Sequence, residues 1–150
     1  MIIHFKCRYK LSGNVKKQNK EASVQQNAEC ILIVDDDLEI TDILQRSLHQ
    51  KGFETCTAHS GNEAIQKSKQ FAPDIVLSDI KMPNCTGIEL LKNIRQVNEN
   101  PPSYIFMMTG YSEFSENDLI LHGADKVFQK PVSVEKLVAF VTDVLGKPES

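Results

Sequence analysis

The most informative segment of the chain is Ile31-Leu32-Ile33-Val34-Asp35-Asp36-Asp37, four apolar residues followed directly by three acids. Four mostly β-branched residues suit a short strand buried on both faces better than they suit a helix. Apolar residues then recur at helical spacing, from Leu38 through Leu44 to Leu48, and this pattern ends at Gly52. The segment therefore predicts a buried strand, an acidic turn and an amphipathic helix.

The same succession of a strand and a helix recurs along the rest of the chain. The predicted strands are 31–34, 53–58, 75–78, 104–108 and 126–129. A helical pattern follows each strand; Ser60 and Glu63 are spaced as a capping box for the second helix, and Ser133 and Gly146 bound the last one. Five strand–helix repeats of this length indicate an α/β fold, in which a parallel sheet carries helices on both faces.

Length and composition indicate one domain of ordinary size. The chain has 150 residues, of which 41% are hydrophobic and 25% charged, so its apolar content excludes disorder throughout. No apolar run approaches 18 residues, and charges interrupt the N-terminal residues too early for a signal peptide. We therefore expect a cytoplasmic protein without membrane insertion.

Charge is distributed unevenly between the two ends of the chain. Residues 1–30 carry six Lys and Arg against two Glu, whereas the remainder is acidic overall. A basic segment can meet nucleic acid or an anionic surface, but a composition rich in Ser, Asn, Gln and Lys favours a solvated, disordered extension. We divide the chain into a basic N-terminal extension at 1–28, a domain at 29–147 and a tail at 148–150. The acidic domain argues against direct nucleic-acid binding.

Polar residues follow several of the predicted strands. In an open parallel sheet, functional groups gather at the carboxyl ends of the strands, an edge that we call the rim. The residues placed on the rim are Asp35, Asp36, Asp37, Asp79, Thr109 and Lys130. Carboxylates held close together repel unless a cation lies between them, and an all-oxygen ligand set suits Mg²⁺. The histidines His49, His59 and His122 have no evident partners, and we expect them at the surface.

A carboxylate beside Mg²⁺ can act as a nucleophile toward a phosphoryl group. The metal neutralises charge on the phosphoryl oxygens, Lys130 can hold another of these oxygens, and Thr109 can donate a hydrogen bond to a third. An acyl phosphate formed in this way is a labile covalent mark. The residues on the rim therefore make a phospho-accepting aspartate plausible.

This arrangement resembles the receiver domain of bacterial two-component response regulators, especially the chemotaxis-type regulators that lack an output domain. The segments that carry the resemblance are 31–37, 73–83 with Gly87, Met108-Thr109-Gly110, Gly123-Ala124-Asp125 and Lys130-Pro131. It extends from about Cys30 to Leu145. The resemblance implies a flavodoxin-like (β/α)5 fold, a doubly wound five-stranded parallel sheet with strand order 2-1-3-4-5.

The resemblance also implies roles for individual residues. Asp79 is the implied phosphoacceptor, Thr109 and Lys130 bind the phosphoryl group, and the Lys130–Pro131 peptide bond is cis. The implied Mg²⁺ ligands are Asp36, Asp79, the Lys81 backbone carbonyl and, through water, Asp35. Asp37 is expected to cap the first helix rather than to bind the metal.

One position departs from the family pattern. The aromatic residue that moves inward upon phosphorylation usually lies three residues before the Lys, where this chain has Val127. Phe128 is expected on the other face of the sheet, because side chains alternate along a strand. Tyr111 and Lys81 flank the expected path of the hydrolytic water, and we hypothesise that they alter the lifetime of the phosphoryl group.

We therefore expect a stand-alone phosphorelay receiver rather than an enzyme with an external substrate. It takes a phosphoryl group from a sensor histidine kinase or a histidine phosphotransfer protein and then presents the face around 110–145 to a partner. Few residues follow Leu145, so we expect no DNA-binding output domain unless the chain is part of a larger protein.

The sequence alone leaves two alternatives open. The first is a docking domain that works without phosphorylation, which Val127 favours. The second is a Mg²⁺-dependent phosphohydrolase with an Asp nucleophile; Lys81, where a second catalytic acid is needed, and the lack of a cap domain argue against it. The glycines form neither a P-loop nor a dinucleotide-binding fingerprint.

Overall fold

The computed structural model describes residues 28–82, 85–97, 99, 101–110 and 114–146. The elements are β1 (Cys30–Val34), α1 (Leu38–Gln50), β2 (Glu54–Ala58), α2 (Gly61–Phe71), β3 (Ile75–Asp79), β4 (Lys81–Met82), β5 (Cys85–Thr86), α3 (Gly87–Val97), β6 (Tyr104–Thr109), α4 (Glu116–Leu121), β7 (Lys126–Gln129) and α5 (Val134–Leu145). Tyr111, the tail at 148–150 and all but the last residue of the proposed extension at 1–28 lie outside the described residues.

Five strands form one parallel sheet in the order β2-β1-β3-β6-β7. When the short β4 and β5 are left out of the count, this order is the predicted 2-1-3-4-5, so the α/β fold and its topology are confirmed. Each predicted strand boundary agrees with the observed one to within one residue. No helix in the described part of the chain is long and apolar enough to cross a membrane.

A second, two-stranded sheet was not predicted. In the segment expected to be a loop, β4 pairs with β5 in antiparallel fashion, with Lys81 opposite Thr86 and Met82 opposite Cys85. Strands of two residues are too short to show alternation of polar and apolar side chains, so no sequence pattern indicates them. The pairing follows Asp79 directly and shapes the chain beside the rim.

The apolar core lies in two layers, one on each face of the sheet. Ile31 and Ile33 of β1 face the layer beneath α1 and α5, whereas Leu32 and Val34 face the layer beneath α2, α3 and α4. Every residue of β1 and of β3 is buried. The short apolar runs in the sequence are thus explained by strands covered on both sides.

Side chains at the helix N-termini determine where several helices begin. Asp37 caps α1, as predicted, and accepts hydrogen bonds from the backbone amides of Glu39 (3.0 Å) and Ile40 (3.4 Å). At α2 the Ser60 hydroxyl accepts from the Glu63 amide (3.1 Å), as the predicted capping box requires. The Glu63 carboxylate, however, accepts from the amide of His59, one residue before the cap, at 2.8 Å.

Candidate functional site

The rim brings together an acidic cluster, which we define as Asp35, Asp36 and Asp79. One carboxylate oxygen from each residue lies within 4.8 Å of the others. Asp35 and Asp36 follow β1, and Asp79 is the last residue of the adjacent strand β3. In the described part of the chain, this is the group of three or more acids, histidines or cysteines whose geometry can hold a metal ion.

Lys130, directly after β7, reaches across the rim to this cluster. Its Nζ atom lies 3.4 Å from Asp79 Oδ1 and 3.5 Å from Asp35 Oδ2. Burial alone would lower the pKa of Lys130, but the charges of Asp79 and Asp35 outweigh it and raise the pKa above its ordinary value. The ammonium is therefore charged at neutral pH and lies between two carboxylates.

Asp35 is the most deeply buried member of the cluster, with 1% of its surface exposed. Burial raises the pKa of Asp35, and the charge of Asp79 raises it further, although the Asp37 amide and Lys130 act in the opposite direction. Its Oδ1 accepts a hydrogen bond from the Asp37 amide at 2.9 Å. Asp35 therefore has one oxygen bound to the backbone and one facing Lys130.

The chemistry of the acidic cluster fits Mg²⁺. It offers carboxylate oxygens, which are the ligands that this ion prefers, and no sulfur or imidazole ligand is among the grouped atoms. The cluster has three carboxylates, and the ammonium of Lys130 pairs with two of them, those of Asp35 and Asp79. A divalent cation therefore balances negative charge that Lys130 alone leaves unpaired. The Lys81 residue whose carbonyl was predicted as a further ligand lies two residues after Asp79, in β4.

Two further predicted features, Thr109 and the cis Lys130–Pro131 peptide bond, lie at the carboxyl end of β6 and directly after β7. Thr109 ends β6 and is buried, and its backbone carbonyl accepts a hydrogen bond from the Lys130 amide at 2.7 Å. Asp79 is paired in register with Met108, the residue before Thr109. The Lys130–Pro131 peptide bond is cis. The structure thus places Thr109 at the end of β6, the strand next to that of Asp79, and Lys130 directly after β7.

Val127 and Phe128 lie on opposite faces of β7. Val127 is buried in the layer beneath α2, α3 and α4. Phe128 packs in the other layer, where its ring lies edge-on to Phe106 (6.2 Å between centroids) and Phe140 (5.4 Å). The expected alternation is confirmed, so no aromatic side chain of β7 faces α4.

No local pattern singles out His59, and the expectation that it lacks partners is wrong. The same expectation is wrong for His122, whose Nδ1 atom lies 2.8 Å from the backbone carbonyl of Asp118. The Nδ1 atom of His59 lies 3.2 Å from the backbone carbonyl of Asp35, and the His59 side chain is partly buried. The register of the sheet explains the contact, because Val34 pairs with Ala58 and the next residues of both strands lie side by side. Knowledge of the strand pairing, rather than of local sequence, is needed to find it.

Comparison with known proteins places the chain in a family. The model of the response regulator receiver domain matches residues 31–142. The transcriptional regulatory protein CpxR homolog of Haemophilus influenzae is 38% identical over 121 residues, which cover 80% of this chain and 52% of that protein. The alkaline phosphatase synthesis transcriptional regulatory protein PhoP of Bacillus subtilis is 36% identical over 120 residues, covering 79% and 49%. The chain spans about half the length of these curated relatives.

Solved structures agree with this result. A CheY-like response regulator receiver domain protein from Methanospirillum hungatei is 30% identical, with a TM-score of 0.72 over 80% of this chain and 95% of that one. The chemotaxis response regulator CheY4 of Vibrio cholerae is 28% identical, with a TM-score of 0.69 over 78% and 98%. Since the family model, the relatives, the sheet topology and the acidic rim all agree, this chain belongs to the response regulator receiver domain family.

Proposed function

We propose that this chain is a regulatory switch in which Asp79 accepts a phosphoryl group. Receiver domains are phospho-accepting regulatory domains rather than classical enzymes; histidine kinases or phosphotransfer proteins phosphorylate them, and they bind Mg²⁺ at an acidic pocket. The observation that carries the proposal is the position of Lys130 Nζ, 3.4 Å from Asp79 and 3.5 Å from Asp35, two members of the acidic cluster that also contains Asp36. Nucleophile, cation and metal ligands are thus gathered at one point.

In this proposal each residue of the rim has a distinct task. An oxygen of Asp79 bonds to phosphorus while the bond from phosphorus to the imidazole nitrogen of the donor breaks, and the electron pair of that bond stays on the nitrogen. Lys130 and the Thr109 hydroxyl hold phosphoryl oxygens as the transfer proceeds. Asp36, Asp79, the Lys81 carbonyl and, through water, Asp35 would hold Mg²⁺, which would supply further positive charge to the phosphoryl group.

We propose further that the signal leaves through the face at 110–145, by binding of a partner protein. Two adjacent apolar side chains of α4 support this assignment, since Ile120 is 42% exposed and Leu121 is 80% exposed. In this scheme the receiver is a cytoplasmic protein and the donor is a sensor histidine kinase or a histidine phosphotransfer protein. Phosphorylation shifts the receiver between two states that differ at this face. The output is protein binding and not direct contact with nucleic acid.

The proposal is tested by measuring intact mass after incubation with acetyl phosphate and Mg²⁺. We expect the wild-type protein to gain the mass of one phosphoryl group, and we expect no gain when Mg²⁺ is chelated or when Asp79 is replaced in the Asp79→Ala variant. An unmodified wild-type protein, or modification that persists in Asp79→Ala, contradicts the assignment of Asp79.

A docking domain that works without phosphorylation is the second candidate, and Val127 is the observation that favours it. The position at which the family usually has the mobile aromatic residue holds a buried aliphatic side chain. The same mass measurement separates the two candidates, because a phosphorylation-independent domain has no need to accept the phosphoryl group.

A further inference from the structure

Asp35 is held by hydrogen bonds on three sides. Its backbone amide donates to the carbonyl of Ala58 at 3.1 Å, its Oδ1 accepts from the Asp37 amide at 2.9 Å, and its backbone carbonyl lies 3.2 Å from Nδ1 of His59. A carbonyl oxygen can only accept, so the His59 contact is a hydrogen bond in which Nδ1 carries the proton. Together these bonds direct the remaining oxygen, Oδ2, toward Lys130.

His59 is itself anchored by helix α2. Its backbone amide donates to Glu63 Oε1 at 2.8 Å, and Glu63 Oε2 lies 3.2 Å from Lys67 Nζ. Lys67 in turn donates to the carbonyl of Thr57, in β2, at 2.7 Å. The hydrogen bond to Glu63 thus links the backbone at His59 to α2. The hydrogen bond of Lys67 links α2 to β2, the strand that directly precedes His59.

The charge of Glu63 keeps this anchor in place at neutral pH. Burial alone would raise the pKa of Glu63, but the hydrogen bond from the His59 amide and the interactions with Lys67 hold the pKa below its ordinary value. The carboxylate therefore stays ionised and continues to accept the His59 amide.

We propose that His59 is a positioning residue for the Mg²⁺ site on the rim. It acts through Asp35: without the bond from Nδ1, the backbone carbonyl of Asp35 loses its partner and the acid can move relative to Asp79 and Lys130. This inference rests on the proposed function for its phosphoryl-transfer consequence, whereas its consequence for Mg²⁺ binding stands on the geometry of the acidic cluster alone.

Two substitutions of similar size separate hydrogen bonding from packing. His59→Asn places an amide nitrogen where Nδ1 lies and retains the donor, whereas His59→Leu has a similar shape without a donor. Loss of a hydrogen bond that orients a ligand typically weakens metal binding by about 10–100-fold, and we expect about 5–10-fold here because His59 acts through the backbone. The Asn variant is expected to bind Mg²⁺ within about twofold of the wild-type protein.

Mg²⁺ binding is first measured by calorimetry in the absence of a phosphodonor. A second measurement gives the Mg²⁺ concentration at which modification by acetyl phosphate reaches half of its maximal rate. For His59→Leu we expect this half-saturating concentration to rise while the rate at saturating Mg²⁺ changes by less than about twofold, since His59 positions a metal ligand and not the phosphoryl group. His122→Leu is the matched control, because His122 Nδ1 also bonds a backbone carbonyl, that of Asp118, at 2.8 Å on α4. It is expected to leave both measurements unchanged.

The outcomes distinguish this inference from the proposed function. If the wild-type protein binds Mg²⁺ but takes no phosphoryl group, the proposed function fails, and calorimetry on the His59 variants still decides the inference. Wild-type affinity in His59→Leu, or an Asn variant as weak as the Leu variant, overturns the role of His59. A wild-type protein that binds no Mg²⁺ overturns both. His59→Ala, which removes the ring without adding bulk, serves as the second variant that lacks a donor.

Discussion

Asp35 and Asp36 are neighbours in sequence but have different surroundings. We therefore expect a substitution of Asp35 to affect the stability of the fold and a substitution of Asp36 to affect metal binding. Asp35 is buried and hydrogen-bonded on three sides, whereas the side chain of Asp36 is exposed. Substitution of a buried, bonded acid disturbs the fold itself. Substitution of Asp36, the exposed member of the acidic cluster, is expected to affect the metal ion that the cluster binds. Asp36 is therefore the residue at which the proposed metal site is best probed.

We predict that Asp36→Asn removes most of the stabilisation that Mg²⁺ gives to the folded protein. A ligand present at one hundred times its Kd stabilises the folded state by about 2.7 kcal/mol, and loss of a ligand weakens binding and reduces this value. Without Mg²⁺, the free energy of unfolding is expected to change by less than about 0.5 kcal/mol, as is usual for an exposed position. Urea unfolding with and without Mg²⁺ measures both effects.

Asp42→Asn is the control for this measurement, because Asp42 is an exposed acid on α1 that pairs with Arg46 outside the acidic cluster. It is expected to retain the full response to Mg²⁺. Equal stabilisation of wild-type protein and Asp36→Asn by Mg²⁺ would show that the ion binds elsewhere.

At the scale of elements, helix α2 and strand β5 approach each other at Gly61, the first residue of the helix. A Cβ atom placed on Gly61 would overlap Cβ and Sγ of Cys85. Cys85 is buried and belongs to the short antiparallel pair that follows Asp79. The absence of a side chain at Gly61 therefore allows the segment after the phosphoacceptor candidate to pack against α2.

We predict that Gly61→Ala lowers the free energy of unfolding by about 1–3 kcal/mol, the usual cost of overpacking. Helix propensity alone predicts that Gly61→Ala raises the free energy of unfolding, since Ala is favoured over Gly in a helix by up to about 1 kcal/mol. Steric overlap with Cys85 is expected to outweigh that preference. Urea unfolding of the two single variants and the double variant Gly61→Ala/Cys85→Gly measures the coupling between these sites.

In the Cys85→Gly background the cost of Gly61→Ala should disappear, because the overlapping atoms are gone. Gly110→Ala is the control, since a Cβ there meets Lys130 only at an ordinary distance of 3.8 Å. Independent, additive effects of the Gly61 and Cys85 substitutions would refute this account of their packing.

At the scale of the whole molecule, the candidate site residues and the side chains that link neighbouring elements lie toward opposite ends of β6 and β7. Arg95 of α3 donates to the carbonyls of Gly123 (3.0 and 3.3 Å) and Pro102 (3.1 Å) and to Asp125 (2.7 Å). Asp125 also accepts from the amide of Ile105, near the beginning of β6. These contacts lie toward the amino ends of β6 and β7, whereas Thr109 is the last residue of β6 and Lys130 directly follows β7.

We predict that Arg95→Met lowers the free energy of unfolding by about 2 kcal/mol, because several partly buried hydrogen bonds to a charged group are lost. The rate of modification by acetyl phosphate should stay the same under conditions in which the variant is folded. Arg46→Met is the matched control; Arg46 makes an exposed ion pair with Asp42 one helical turn away, a contact worth about 0.3–0.5 kcal/mol. A similar loss of stability in both variants would contradict the role assigned to Arg95.

The sequence pattern was sufficient to predict the strands, because buried parallel strands leave short apolar runs that end at the rim. The order of the strands in the sheet was implied only by the resemblance to receiver domains, since apolar runs do not indicate which strands are neighbours. Local patterns did not indicate features that depend on pairing between distant segments. The contact of His59 with Asp35 requires the register of β1 and β2, and the β4–β5 pair is too short to show a period. The hydrogen bond from the His59 amide to the Glu63 carboxylate, which was expected to accept from Ser60 instead, likewise depends on the path of the chain between β2 and α2.

The two faces of β7 are packed differently. On one side, the rings of Phe106, Phe128 and Phe140 interlock edge to face and fasten α5 to the sheet. On the other side, the six-residue α4 rests on the sheet through one fully enclosed side chain, Leu119. We therefore expect α4 to shift more readily than α5 when the contacts of Thr109 or Lys130 change.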